Sequence, residues 1–285
     1  MRQQPEREDN NSAKWLDQRG LATPENRGGL LGAPRVAWQP SPDIVKISII
    51  IPAYNEEKLI GGTLAKIATA CRTFDEQGCG YELIVCDNNS TDRTAQLARD
   101  AGASVVFEPV NQIGRARNCG AAAATGDWLL FIDADSHPSP ELFNDMLQVI
   151  RRGDCLAGGC TISMPTRDKI AGWIVKFWNL TSRVTRSVAG SFIFCETKAF
   201  RDLGGFSLEL YASEEIELSK RLRKLARTTG RKIVILNRHP LLTSDRKLHL
   251  YTRQDYSRFF LRTAFRFGRT LNSPKECHIW YDGRR

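Results

Sequence analysis

Hydrophobic and polar positions along the chain separate strands from helices. Ile47-Ser48-Ile49-Ile50-Ile51 is a β-branched run stopped by Pro52, which predicts a buried parallel strand. Helical spacing follows from Glu57 to about Arg72. Tyr81–Cys86 predicts a second strand and Thr91–Ala101 a helix. Ser104–Phe107 predicts a third strand and Ile113–Ala124 a helix. Trp128–Ile132 predicts a fourth strand, with a helix from Ser139 to Arg151. Strand and helix thus alternate four times across short connections, the pattern of an α/β domain with right-handed crossovers and a mostly parallel sheet. Residues 1–43 mix both charge signs with Gln, Asn, Pro and Gly, show no period, and predict a flexible arm.

In such a sheet, ligands bind beyond the carboxyl ends of the strands. Three predicted strands end on Pro52-Ala53-Tyr54-Asn55-Glu56, on Asp87-Asn88-Asn89-Ser90 and on Asp133-Ala134-Asp135, so one rim collects polar and acidic residues. No Gly-x-Gly-x-x-Gly follows the first strand and no Gly-Lys-Ser/Thr occurs, which removes the main signals of dinucleotide and P-loop sites. If the chain stays extended past the fourth strand, Asp133 and Asp135 point the same way. Hard oxygen ligands of that kind suit Mg²⁺ or Mn²⁺ with phosphates completing the shell, and such a metal stabilises a departing phosphate oxygen. In isolation an Asp-x-Asp is more often an ordinary turn. Asp87 is placed to accept from a base N–H or ribose hydroxyls. It equally suits a turn, with Ser90 or Thr91 capping the next helix. Arg115, Arg117 and Asn118 open a helix where a guanidinium either pairs with a diphosphate or faces water.

Charge adds a second theme. The chain of 285 residues carries a net charge of +9, yet residues 219–285 hold eighteen Lys/Arg against four Asp/Glu. The basic excess is therefore C-terminal and suggests an anionic partner, or simply a solvated helical face. The eight cysteines are scattered without a Cys-x-x-Cys, and the N-terminus lacks an apolar secretory stretch. A reduced, cytoplasmic set of small core residues is the expectation. The longest stretch without Asp, Glu, Lys or Arg is Cys155–Thr166, too short to span a membrane.

Four segments carry a family resemblance. Ile49-Ile50-Ile51-Pro52-Ala53-Tyr54-Asn55-Glu56-Glu57 resembles the opening motif of family 2 glycosyltransferases, and Asp87-Asn88-Asn89-Ser90-Thr91-Asp92-Arg93-Thr94 resembles their second. Gly114-Arg115-Ala116-Arg117-Asn118-Cys119-Gly120 resembles the third, and Gly126–Asp135 the strand leading to their Asp-x-Asp. Each is weak alone; four in order, over roughly Val45 to Arg223, are specific. The resemblance implies a GT-A fold: a Rossmann-like nucleotide half (44–136) and an acceptor half (137–245); the residues beyond them read as a basic aromatic helical tail (246–285). It implies sugar transfer from a nucleoside diphosphate donor, a UDP-sugar by family frequency, to an acceptor hydroxyl, with inversion the commoner outcome. By motif, the Pro52, Ala53 and Tyr54 backbone and Glu56 would hold the nucleoside, Asp87 and Asn89 the base side, and Arg117 the base or diphosphate. Asp133 would lie near the ribose and metal, and Asp135 would bind the metal.

Inversion needs a base for the acceptor proton. The family commonly places an Asp in a Glu-Asp pair after a Gly-Gly-Phe segment. Here Gly204-Gly205-Phe206 is followed by Ser213-Glu214-Glu215, so Glu215 takes the base role by resemblance, with Glu214 second. The same residues also read as a plain helix start, with Ser213 as N-cap and acids in the first turn, and Glu217 and Arg221 as an i,i+4 pair. By the same resemblance, Gly190–Cys195 would be a strand near the acceptor. His239 and His249 read as surface residues rather than metal ligands.

Two segments suggest either an anionic membrane surface or helices that pack on the sheet with their arginines facing water. One is the apolar helical spacing in Ile170–Val184, and the other is the Arg258, Arg262, Arg266, Arg269 stripe with its aromatic neighbours. Membrane contact would make the protein peripheral on the cytoplasmic face and the acceptor lipid-linked. Rival readings are a retaining GT-A enzyme, a sugar-nucleotide nucleotidyltransferase, which would open on a Gly-rich loop that this chain lacks, and a non-catalytic anion binder. No nucleic-acid partner is expected, because that reading leaves the acidic rim unused.

Overall fold

β1 (Lys46–Ala53) is the spine of the sheet. It is buried from Ile47 onward and pairs in parallel with β2 (Gly80–Asp87) on one side and with β4 (Trp128–Ile132) on the other. Pro52 has no N–H to give, and it is accommodated because pairing with β4 involves only Ile47–Ile50. These relations come from a computed structural model that describes residues 45–166, 168–188, 190–244, 269–273 and 277. The expected arm (1–43), His249 and the Arg258, Arg262 and Arg266 part of the tail stripe lie outside the described residues.

The predicted alternation is present. Helices α1 (Ile60–Glu76), α2 (Thr94–Asp100) and α3 (Ile113–Ala123) carry the chain from β1 through β2 and β3 (Ser104–Phe107) to β4. A two-residue strand, β5 (Ser136–His137), precedes α4 (Pro140–Arg151), whose Ser139 hydroxyl accepts the Leu142 N–H at 3.3 Å. The chain then continues through β6 (Cys155–Ser163), α5 (Lys169–Thr185), β7 (Phe192–Glu196), α6 (Thr197–Asp202), α7 (Glu214–Thr229) and β8 (Lys232–Thr243). The sheet order is β3-β2-β1-β4-β7-β6-β8-β5. β7 runs antiparallel between β4 and β6, and β5 antiparallel against β8, so the sheet is mixed while its β3-β2-β1-β4 side is wholly parallel.

Alternate residues of the central strands feed two cores, as a pleated strand requires. Ile47, Ile49, Ile51, Leu130 and Ile132 face α1 and α4, where Phe74 and Phe143 stack with ring centroids 4.9 Å apart. Ile50, Leu129 and Phe131 face α3, α6 and α7, where Phe206 meets Phe131 edge-on at 5.1 Å. On this second side α3 lies flush on β1: a Cβ at Gly120 would stand 2.5 Å from Ile50 Cγ2. Gly120→Ala is therefore expected to cost about 1–3 kcal/mol through overpacking. A thermal melt unchanged from the parent would show that α3 shifts without cost.

Candidate functional site

Three loops meet at the carboxyl ends of β1, β2 and β4. The first two are bonded to each other. The Asn55 N–H donates to the Ser90 hydroxyl at 3.0 Å, and the Asn55 side-chain oxygen accepts the Thr91 N–H at 2.8 Å. The Glu56 N–H donates to the Thr94 hydroxyl at 2.7 Å, and the Glu57 N–H to Asp92 at 3.1 Å. The expectation that Ser90 or Thr91 caps the following helix is thus corrected, because both are spent on the loop after β1. The helix start is served instead by Asp92, which accepts the Thr94 N–H at 2.9 Å. Asn55 and Asn89 hold left-handed backbone, with φ of 52° and 66°. Asn tolerates that region better than most residues.

Within this frame Ala53 is buried, Tyr54 half-buried and Glu56 buried. Asp87 is buried and braces its own loop by accepting the Ser90 N–H at 3.1 Å. Asn89 is exposed, whereas the adjacent Asn88 is buried and ties its loop to the stretch from Glu108 to Gln112. Its amide donates to the Glu108 and Val110 carbonyls and accepts the Gln112 N–H. The Asp133–Asp135 segment is a turn rather than extended chain, closed by the Ser136 N–H on the Asp133 carbonyl at 3.1 Å. Period-two alternation therefore does not describe how its two carboxylates relate. The turn is held from three sides. Thr63 donates to the Ala134 carbonyl at 2.6 Å, Ser244 N–H to the Asp135 carbonyl, and Asp133 N–H to the Ser191 carbonyl.

α3 joins this rim to the segment before α7. Gln112 is buried and donates to the Leu208 and Leu210 carbonyls at 2.9 and 2.8 Å. Asn118 donates to the Phe206 carbonyl and accepts the Phe206 N–H, both at 2.9 Å. Arg117, between them, is 3% exposed. One terminal nitrogen donates to Glu214 at 2.6 Å and the other to Asp133 at 3.0 Å, and the guanidinium carbon lies 5.2 Å from the Phe206 ring centre. Its Nε is buried without a hydrogen-bond partner. The water-facing reading of Arg117 is thereby corrected: it is the internal link between Asp133 and α7. Its motif position points to the site, but nothing local in the sequence shows that its partner stands on α7.

α7 begins with the expected acids, though not with the expected cap. Ser213 makes no side-chain cap bond; it sits at φ 64°, in the left-handed region, and only its carbonyl serves the helix start. Glu214 is buried and Glu215 half-buried. Burial pushes the Glu214 carboxyl up to about 8, the neighbouring Glu215 adds to the rise, and Arg117 opposes it. The facing carboxylates hold Arg117 firmly in its charged form. The i,i+4 pair of Glu217 and Arg221 is present at 2.5 Å. His239 pairs with Asp145 of α4 at 3.0 Å. All eight cysteines are free thiols.

Among the described residues no three His, Cys, Asp or Glu side chains converge as a ready metal cage. Asp133 and Asp135, on one turn, are carboxylates of the hard-oxygen kind that suit a divalent cation.

Similarity to known proteins agrees with this geometry. The dolichol-phosphate mannosyltransferase of Pyrococcus furiosus is 31% identical over 123 residues, covering 40% of this chain and 33% of that protein. The chain spans under two thirds of the length of the curated relatives it matches. S. aureus TarS in complex with UDP-GlcNAc superposes with a TM-score of 0.55 at 22% identity, over 70% of this chain and 58% of that one. The mannosyltransferase PcManGT from Pyrobaculum calidifontis, in complex with GDP-Man and Mn²⁺, gives 0.54 at 18% identity, over 81% and 62%. These likenesses establish the fold as the GT-A type. The model of one family, Glycosyl transferase family 2, matches residues 48–196, from β1 through β7 and just over half of the chain. With its motifs, strand order and acidic rim in agreement, the chain belongs to glycosyl transferase family 2.

Proposed function

We propose that the protein transfers a sugar from a nucleoside diphosphate donor to an acceptor hydroxyl, with inversion and with a divalent metal. The observation that carries this reading is the Asp133–Arg117–Glu214 chain, which ties the acidic turn after β4 to the carboxylates that open α7. A donor site and a base site separated by a single buried guanidinium suit an in-line displacement.

In this reading residues 44–136 form the nucleotide half and residues 137–245 the acceptor half. The loops after β1 and β2, with Ala53, Tyr54, Glu56, Asp87 and Asn89, bind the nucleoside. Asp135, with Asp133, holds Mg²⁺ or Mn²⁺, which when bound stabilises the leaving diphosphate. Glu215 accepts the proton of the acceptor hydroxyl. Glu214 and Arg117, buried against each other, set the position of the turn and of the first turn of α7. Eight free thiols suit a reducing, cytoplasmic setting. A second reading, transfer to the phosphate of a lipid, is favoured by the name of the Pyrococcus relative.

Thermal shift with UDP, GDP, CDP and dTDP, each with and without Mn²⁺ or Mg²⁺, tests the donor site. A ligand at a hundred times its Kd adds about 2.7 kcal/mol to stability, or about 5–10 °C at this size. One diphosphate is expected to give that shift only with metal, and Asp135→Ala to abolish it. No shift with any of the four overturns the reading.

A further inference from the structure

α5 is held to the domain by one side and open on the other. Ala171 and Ser182 are buried, and the Asn179 amide clamps β6 by donating to the Ile162 carbonyl at 2.9 Å and accepting its N–H at 3.0 Å. The opposite side presents Ile170, Trp173, Ile174, Phe177, Leu180 and Val184, each between 53% and 75% exposed. Their spacing of three and four places them along one side of the helix. Six large apolar side chains in a row differ from the single exposed hydrophobics of an ordinary surface and mark an interaction face.

The charges beside this stripe are all of one sign. Lys169, Lys176 and Arg183 recur every seven residues and so border the stripe along one edge, with Arg186 just past the helix end. All four are exposed, and residues 169–195 contain no Asp or Glu. Arg183 and Arg186, with Lys232, also line a surface cavity of about 340 Å³ at the end of the helix. Lys232 is paired with Asp154, while neither arginine has an ion-pair partner among the described residues.

An occupant must therefore be apolar in its depth and anionic at its border. A second copy docked through the same face would set cation rows against each other with no acid to answer them. The C-terminal part of this chain is itself strongly basic. The surface of an anionic bilayer meets both demands: the apolar stripe enters the acyl boundary, Trp173 and Phe177 sit at the headgroup level, and the lysines and arginines meet lipid phosphates.

We propose that α5 is an in-plane anchor that docks the protein on an anionic lipid surface. The helix leaves β6 and returns to β7 at the end of the sheet that carries Asp133, since Phe192 pairs with Ile132 and the Ser191 carbonyl accepts the Asp133 N–H. Docking through α5 brings the bilayer to that side of the molecule. The proposal stands apart from the transferase reading, and its test does not depend on activity.

The full chain is sedimented with vesicles of phosphatidylcholine, or of phosphatidylcholine and phosphatidylglycerol in equal parts. The expected result is binding to the mixed vesicles, weakening as salt rises. The Trp173→Glu/Phe177→Glu variant is expected to lose at least about tenfold in binding, since each ring gives up its apolar burial. Its melting temperature and metal-dependent nucleotide shift are expected to match the parent's. Lys169→Glu/Lys176→Glu is expected to lose about fivefold per residue on the mixed vesicles only. Absent binding by the parent chain overturns the proposal. Binding undiminished in the Trp173/Phe177 variant overturns it as well, assigning the contact to another segment. So does a dimer of the parent chain that the same variant dissolves, since the face would then belong to a second copy.

Discussion

Replacing Glu215 with Gln is expected to lower kcat by about 10²–10⁴-fold while the metal-dependent nucleotide shift persists. The two acids at the start of α7 are not equivalent. Glu214 is 3% exposed and bonded to Arg117 at 2.6 Å, so it is committed to that internal contact. Glu215 is only half-buried, which leaves it the accessible carboxylate of the two. Its glutamine variant keeps the shape and loses the proton acceptor. The measurement is release of the nucleoside diphosphate, using the donor named by the thermal panel, for parent and variant. The size of the loss also separates the two acceptor readings. A hydroxyl must shed a proton during attack, whereas a lipid phosphate is already an anion at neutral pH and needs no base. A loss below about tenfold sinks the general-base role and favours the phosphate acceptor.

The second large effect is on stability. Measured above pH about 8, where the folded Glu214 carboxyl is ionised, Glu214→Leu is expected to cost about 3–5 kcal/mol in urea unfolding, because it leaves a buried cation half-compensated and Arg cannot neutralise itself. Arg117→Met is expected to cost less, since Glu214, already raised to about 8 by burial, then takes up a proton. The double variant is expected to recover much of the loss. If all three cost the same, packing rather than charge sets the effect. A pH series adds a check of sign. The folded state holds the Glu214 proton up to about 8, against an ordinary value of 4.5. This contribution is complete below the ordinary value and is lost as pH rises through the folded one. Glu214→Gln is expected to flatten the fall in stability over that window.

The β3-β2-β1-β4 side was legible because its strands are simple objects. β3 and β4 begin and end where the hydrophobic runs do, and β1 needs only its β-branched run and Pro52. The strands of the other side were harder to see. β6 contains Gly158 and Gly159, which break the hydrophobic pattern for a tertiary reason: a Cβ at Gly158 would lie 2.3 Å from Phe194 Cζ and 2.5 Å from the Val234 carbonyl. β8 runs on through Asn237, Arg238, His239 and Pro240, and its pairing with β6 shifts register between Cys160 and Ile162. In the candidate site, the residues that stand at the rim were visible from their place after strands. The bonds of Asn88, Gln112 and Asn118 were not, since each joins segments distant in sequence and nothing local announces the partner. Ser213 failed as a cap for a related reason. Its tertiary position puts it at positive φ, and side-chain capping needs extended backbone there.

The stitching of α3 bears on how the protein is made. Gln112 reaches Leu208 and Leu210, Asn118 reaches Phe206, and Arg117 reaches Glu214, each across 88 to 98 residues of chain. On a ribosome adding about 5–20 residues per second, Arg117 waits about 5–20 s for Glu214 to be polymerised. Through that interval β1 to β4 can pair, but α3 must settle on them with its guanidinium answered by Asp133 alone. The carboxylates of α7 then close this part of the domain, before β8 is made and pairs with β6 and β5. A nascent chain that stalls before residue 214 would present an unfinished interior cation to chaperones, and synthesis of the second half doubles as the final step of folding the first.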